Sequence, residues 1–290
     1  MKQTYILVLF FILFSLSSCE TINPDEGIPA QIEINSFGFD SKIMQGTDSV
    51  NINDAWIYVD GELIGAFEIP VNAPILSSGK HQVEVKPGII LNGIAATRTI
   101  NPFFNSFSQN VDLVAGKSIL LSPKSSYIDN LEFPWNSRGE EDFEEGGISI
   151  DSVSGSSTKI VKSKNDIFEG DYSGEIFLDK GHQNYVGQST NDLVLPKSGA
   201  YVIMEIHIKN TSIPLEIGMF VNLPGGTVVN VSHLGVTTGP DWKKLYVNFT
   251  ELVSHYTTAE SYKVTFKADL GSEEDSASIF LDNIKIMHVK

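Results

Sequence analysis

Between Tyr201 and Asn210 (YVIMEIHIKN) every even-numbered side chain from Val202 to Ile208 is apolar, while Tyr201, Glu205 and His207 fall between them and Ile203 breaks the pattern. A two-residue period sends alternate side chains to opposite faces, which only an extended strand can do. Leu215 to Val221 repeats it, with Leu215, Ile217, Met219 and Val221 inward and Glu216 and Phe220 outward. Tyr262 to Ala268 sets Tyr262, Val264 and Phe266 against Lys263, Thr265 and Lys267. Trp242, Leu245, Val247 and Phe249 are core candidates of a further strand. No long stretch has helical periodicity. Half-buried strands of this kind stack sheet on sheet, so the chain is expected to be all-β, a small β-sandwich followed by a larger one.

The smaller unit is expected over residues 31–126. Ile32 and Ile34 alternate with Glu33, and Asp60-Gly61 between apolar runs predicts a two-residue hairpin turn. A further strand pair is expected at Pro74-Ile75-Leu76 and Lys80 to Val85, and a final strand over 111–121 with Gly116 as a turn. The aromatic run Asn101 to Phe107 reads either as core filling after a turn or as an exposed patch for docking a partner. Residues 127–139 mix proline, asparagine and glycine with isolated aromatics and are expected to link the units. Trp135 either packs between them or caps one.

The chain opens with Lys2, an apolar run from Tyr5 to Phe14 and small residues up to Cys19. This is the build of a secretory signal, too short to span a bilayer comfortably. Cys19 is the sole cysteine, so an exported form makes no internal disulfide. Residues 19–30 are polar, with Gly27 and two prolines, and read as a tether. The formal charge of −16 opposes binding to phosphate backbones, so no nucleic-acid partner is expected. No phosphate loop, nucleophile elbow, HExxH or Cys/His metal pattern occurs. A glycosidase carboxylate pair depends on a separation that sequence does not give, so enzymatic glycan processing stays the lesser alternative.

Four resemblances add to this reading. Leu16-Ser17-Ser18-Cys19 resembles a bacterial lipobox, which implies cleavage after residue 18, acylation of Cys19, a bilayer partner and an outer-membrane location. Three Asp-Ser-aliphatic triplets, among them Asp151-Ser152-Val153, resemble the O-glycosylation site of Bacteroidota. Tyr58-Val59-Asp60-Gly61, Pro74-Ile75-Leu76 and Gly79 to Val85 resemble a PEGA or transthyretin-like domain, which implies a stalk or adhesion module. In residues 140–290, Asp142-Phe143-Glu144, Gly170 to Gly174, the Trp242 strand and Ile279 to Ile284 resemble the galactose-binding-like jelly rolls of carbohydrate-binding modules.

That last resemblance implies glycan recognition without catalysis, and a structural Ca²⁺ held by Glu144, Asp171 and Asp282. The alternative for these acids is an ordinary hairpin and surface role. A glycan site is expected on the polar, aromatic-bearing strand faces, where Tyr201, Glu205, His207, Glu216, Phe220 and Asn222 would cluster if their strands were neighbours. His182 and Tyr185 are expected to join from the loop beside them. The competing partner is another envelope protein, as in assembly or adhesion.

Overall fold

The computed structural model describes residues 27–290; the signal segment, Cys19 and the tether as far as residue 26 lie outside the described residues. The protein is all-β, two sandwiches in series. The first comprises β1 (Ala30–Ile34), β2 (Gly38–Asp40), β3 (Asp54–Val59), β4 (Glu62–Glu68), β5 (Val71–Ile75), β6 (Gly79–Ile90), β7 (Arg98–Ile100), β8 (Phe107–Leu113), β9 (Ser118–Leu121) and β10 (Lys124–Ser126). One sheet has the order β5-β1-β9; the other runs β4-β3-β6-β7, with β8 also on β6. Ile32, Ile34, Ile57, Val59, Val83 and Val85 meet between them.

The hairpin falls at Asp60-Gly61, whose φ values of 49° and 86° are those a type I′ turn requires. Beyond it Ile57 faces Gly65 and Tyr58 faces Leu63, so Ile64 is bulged out beside the glycine. The expected strand pair is not a pair, and the expected final strand is two strands. β5 joins β1 while β6 joins β3, and β8 and β9 likewise part to different sheets. Each turn between them crosses the sandwich, because each of the two strands has its apolar face on one shared core.

The second sandwich comprises β11 (Leu131–Glu132), β12 (Ile150–Ser152), β13 (Ile160–Ser163), β14 (Ser173–Asp179), β15 (Asn184–Ser189), β16 (Val202–Asn210), β17 (Leu215–Leu223), β18 (Thr227–Val236), β19 (Lys243–Asn248), α1 (Thr250–His255), β20 (Ser261–Asp269) and β21 (Ser276–Val289). Its first sheet has the order β13-β14-β21-β16-β19, with β11 on β21; its second runs β12-β15-β20-β17-β18. The even-numbered apolar residues of β16 and Leu215, Ile217, Met219 and Val221 of β17 are fully buried in one core with Tyr262, Val264 and Phe266.

Residues 127–139, expected as a linker, are structural. Leu131 and Glu132 pair with Val289 and His288, extending the first sheet. Trp135 is fully buried in the second core, its Nε1 donating to Ser149 Oγ at 2.9 Å. A third apolar cluster joins the sandwiches: Phe39, Ile89, Phe103, Phe104 and Tyr127 of the leading half meet Ile203, Tyr246 and Met287 on the outer face of the first sheet. The aromatic run at 101–107 is therefore core filling, with Phe103 fully buried, and offers no exposed docking patch there.

Candidate functional site

Glu205 and His207 point outward from β16, but the first sandwich covers them. The loop between β2 and β3 lies over this face: Lys244 Nζ donates to the carbonyl of Ser49 at 2.8 Å and Lys285 Nζ to that of Gln45 at 2.6 Å. Beneath the loop, Glu205 is fully buried, with Lys244 Nζ at 2.7 Å, Lys285 Nζ at 3.8 Å and the Tyr127 hydroxyl donating at 2.9 Å. Burial opposes charge on Glu205, but Lys244 and Lys285 outweigh it and hold the carboxyl below its ordinary range. Lys285 gains less from its more distant carboxylate, and burial pushes it down to about 8. His207 is stacked 3.7 Å from the Phe168 ring; burial, with the two lysines adding to it, pushes it down to about 2 and keeps it neutral. This is a charged clamp between sandwiches, with no surface from which Glu205 or His207 could meet a glycan.

The expected cluster of six residues does not form. β16 and β17 follow each other in the chain but belong to opposite sheets. Tyr201, half exposed, stands at the start of β16, away from Glu216, Phe220 and Asn222 on the far side of the sandwich. Phe220 lies on the outer face of the second sheet, in register with Lys263 on β20 and Asn230 on β18.

Polar groups surround Phe220. Glu216 accepts from Lys267 Nζ and from Ser232 Oγ, each at 2.7 Å, and the Lys267 bond holds its carboxyl below the ordinary range. Lys267 Nζ also reaches Asn230 Oδ1 at 3.0 Å, and Asn222 Nδ2 donates to Ser261 Oγ at 2.8 Å and to Asp192 Oδ1 at 3.1 Å. Between the Lys267–Glu216 row and the Lys263–Phe220–Asn230 row runs a row of small residues, Thr265, Gly218 and Ser232. A Cβ at Gly218 would stand 2.3 Å from the Val231 carbonyl oxygen, so backbone alone fits there. Thr265 is fully buried and its Oγ1 has no hydrogen-bond partner. The face is thus a polar surface with one partly exposed aromatic ring.

The remaining expected residues scatter. His182 is exposed in the β14–β15 turn, bonded to Asp179. Tyr185 is a core residue with a partnerless hydroxyl, and burial pushes its pKa up. Glu144 Oε1 accepts the backbone N–H groups of Asp171 and Tyr172, at 2.8 and 3.0 Å. Asp282 accepts those of Asn283 and Glu169, at 2.8 and 3.3 Å. Among the described residues no three His, Cys, Asp or Glu side chains converge as a metal would need. Glu144, Asp171 and Asp282, expected to hold Ca²⁺, form no such group, and Glu144 and Asp282 accept from turn backbone instead.

Glu140, Asp142, Glu144 and Glu169 line a cleft of about 300 Å³ against Gly46 and Thr47. Burial pushes Asp282 up to about 7; the two backbone donors pull the other way, and Glu169 and Glu144 push further. A carboxyl raised in the fold makes stability fall as pH rises from about 4 to about 7. Asp282→Asn is expected to exceed wild type by ~2–4 kcal/mol above pH 7 and to match it below pH ~4. Urea unfolding across that range checks it, and a variant weaker than wild type at pH 8 contradicts it.

Sequence reasoning missed an aromatic row at the free end of the first sheet. Phe168, Trp242 and Phe280 follow one another at ring separations of 5.6 and 6.4 Å, and Trp242 Nε1 donates to Asp166 at 2.7 Å. Trp242 is thus partly exposed and not a core residue. Phe280 was legible, being the outward member of the alternation Ile279, Phe280, Leu281.

No protein-family model matches the chain, and no curated protein does. Among solved structures it is similar to the CBM22-1 xylan-binding domain from Paenibacillus barcinonensis Xyn10C, at 16% identity over 52% of this chain and 93% of that one, TM-score 0.38. It is similar to the C-terminal family 22 carbohydrate binding module of Clostridium thermocellum Xyn10B, at 14% identity over 52% and 92%, TM-score 0.37. It is also similar to a structure from a study of carbohydrate-binding modules of the β-sandwich superfamily, at 15% identity over 83% and 86%, TM-score 0.39. All three are likenesses at low identity.

Proposed function

We propose that this is a non-catalytic binding protein, lipid-anchored through Cys19 to a bacterial outer membrane, whose second sandwich recognises a glycan on the face around Phe220. The observation carrying this reading is the asymmetry of the two outer faces. The first sheet spends much of its outer face on the junction, while the second keeps a partly exposed ring among carboxylate, amide, hydroxyl and ammonium groups. Sugars offer C–H faces to aromatic rings and hydroxyls to such groups. Trp242 is less suited, since its indole N–H is already held by Asp166. The net charge of −16 favours neutral over acidic glycans. The anchor is supported by the lone cysteine closing an apolar signal. The rival reading, docking of an envelope protein through residues 103–107, loses its surface because Phe103 and Phe104 are buried.

A glycan-array screen of the chain tests it. Saturable, competable binding to a neutral glycan is expected, and Phe220→Ala should weaken it about tenfold, near 1.4 kcal/mol. Folded protein that binds no glycan, or binding unmoved by Phe220→Ala, overturns the site.

A further inference from the structure

The tip of the first sandwich from which the tether emerges carries apolar side chains that the fold leaves uncovered. Ile28 is 71% exposed, Leu76 80% and Val114 48%. Strand register brings the three together. Ala30 pairs with Ile75, which sets Ile28 and Pro29 beside Leu76 at the end of that ladder. On the other side Gln31 pairs with Ser118, and Gly116 donates its N–H to the Pro29 carbonyl at 2.9 Å. A Cβ built on Gly116 would lie 3.6 Å from Ile28, and Val114 opens that same turn, its carbonyl accepting from Lys117. The three come from separate stretches of chain and share one end of the domain, where no core needs them.

We propose that this tip rests on the bilayer, with Ile28, Leu76 and Val114 seated in the headgroup boundary. The inference depends on the anchor reading, and the length of the tether is what selects the occupant. Residues 19–26 separate the acylated position from the tip. Fully extended, they reach at most ~30 Å, at 3.3–3.6 Å per residue. The apolar tip is therefore the part of the described chain held closest to the membrane, and apolar side chains at a bilayer surface gain from burial among the lipids. Lys117 stands beside them, placed to meet anionic headgroups. β21 runs from Ser276 to Val289, and its far end pairs with Leu131 at the junction, so the turn at Ser272 lies at the opposite end of the molecule. Docking in this way points the second sandwich, with its Phe220 face, away from the lipid surface.

The test uses the acylated full chain reconstituted into phosphatidylethanolamine–phosphatidylglycerol vesicles. Acylation leaves Cys19 without a thiol, so Ser78→Cys beside Leu76, or Ser272→Cys at the far end, supplies the sole attachment point for an environment-sensitive fluorophore. The label at 78 is expected to shift to the blue and to lose emission to nitroxide-bearing lipids, and the label at 272 to do neither. Adding Ile28→Ser, Leu76→Ser and Val114→Ser should abolish the shift and the quenching at 78. These residues are exposed, so the fold is retained. A chain that floats with the vesicles but shows no quenching at 78 overturns the tip contact and leaves the anchor standing, as does quenching that survives the three serines. A chain that does not float with the vesicles overturns the anchor and the tip contact with it.

Discussion

Glu205→Ala is expected to lower the unfolding free energy by ~3–5 kcal/mol, because it strands two buried lysines. Lys285 is fully buried and Lys244 nearly so, and Glu205 is the carboxylate both approach. The Tyr127 hydroxyl loses its acceptor in the same step. Glu205→Met together with Lys285→Met should return part of the loss, since apolar replacement of a whole buried pair is often neutral. With its pKa held low, Glu205 contributes fully above its ordinary carboxylate range, and the contribution fades as pH falls through the folded-state value. The gap between wild type and Glu205→Ala should therefore be wide at pH 7 and narrow in acid. Urea unfolding at the two pH values measures it. A gap under about 1 kcal/mol at pH 7 would mean the clamp is a solvated surface pair.

Trp135→Ala is expected to be comparably severe, ~3–5 kcal/mol, or roughly 10 °C in melting temperature. The ring is fully buried, tilted against Phe266 at 6.4 Å, and its N–H is satisfied by Ser149. Its backbone carbonyl accepts from Asn191 Nδ2 at 3.1 Å, joining the supposed linker to the loop after β15. Truncation empties a large site and also removes one hydrogen bond to Ser149. A melting temperature within 2 °C of wild type would show that residues 127–139 are dispensable to the second sandwich.

What was legible in the sequence was local. The alternations in β16, β17 and β20 gave the inner faces residue by residue, and Asp60-Gly61 gave its hairpin, because period and turn chemistry depend on neighbours in the chain. What was not legible was which surface packs on which. The polar side of β16 looked solvent-facing because nothing in ten residues says that a loop 150 positions earlier lies over it. Ile203, Tyr246 and Met287 were the available signal, apolar residues on a nominally polar face, meaningful only once their strands are known to be adjacent. The split of β16 and β17 into different sheets was hidden for the same reason. Both strands present an apolar side to one core, and the short connection from Thr211 to Pro214 allows either pairing or crossing. Of the expected binding residues, Phe220, Glu216 and Asn222 share one outer face. Glu205, His207 and Tyr185 went to packing, the first two because the face they share became a junction.

The most direct test is a calorimetric titration of the full chain with the strongest array ligand, run beside Phe220→Ala and Trp242→Ala. The account predicts that Phe220→Ala weakens binding about tenfold while Trp242→Ala leaves it within about twofold, the difference being ~1 kcal/mol. The reverse pattern would move the site to the first sheet, and no heat from any glycan with folded protein would contradict glycan recognition itself.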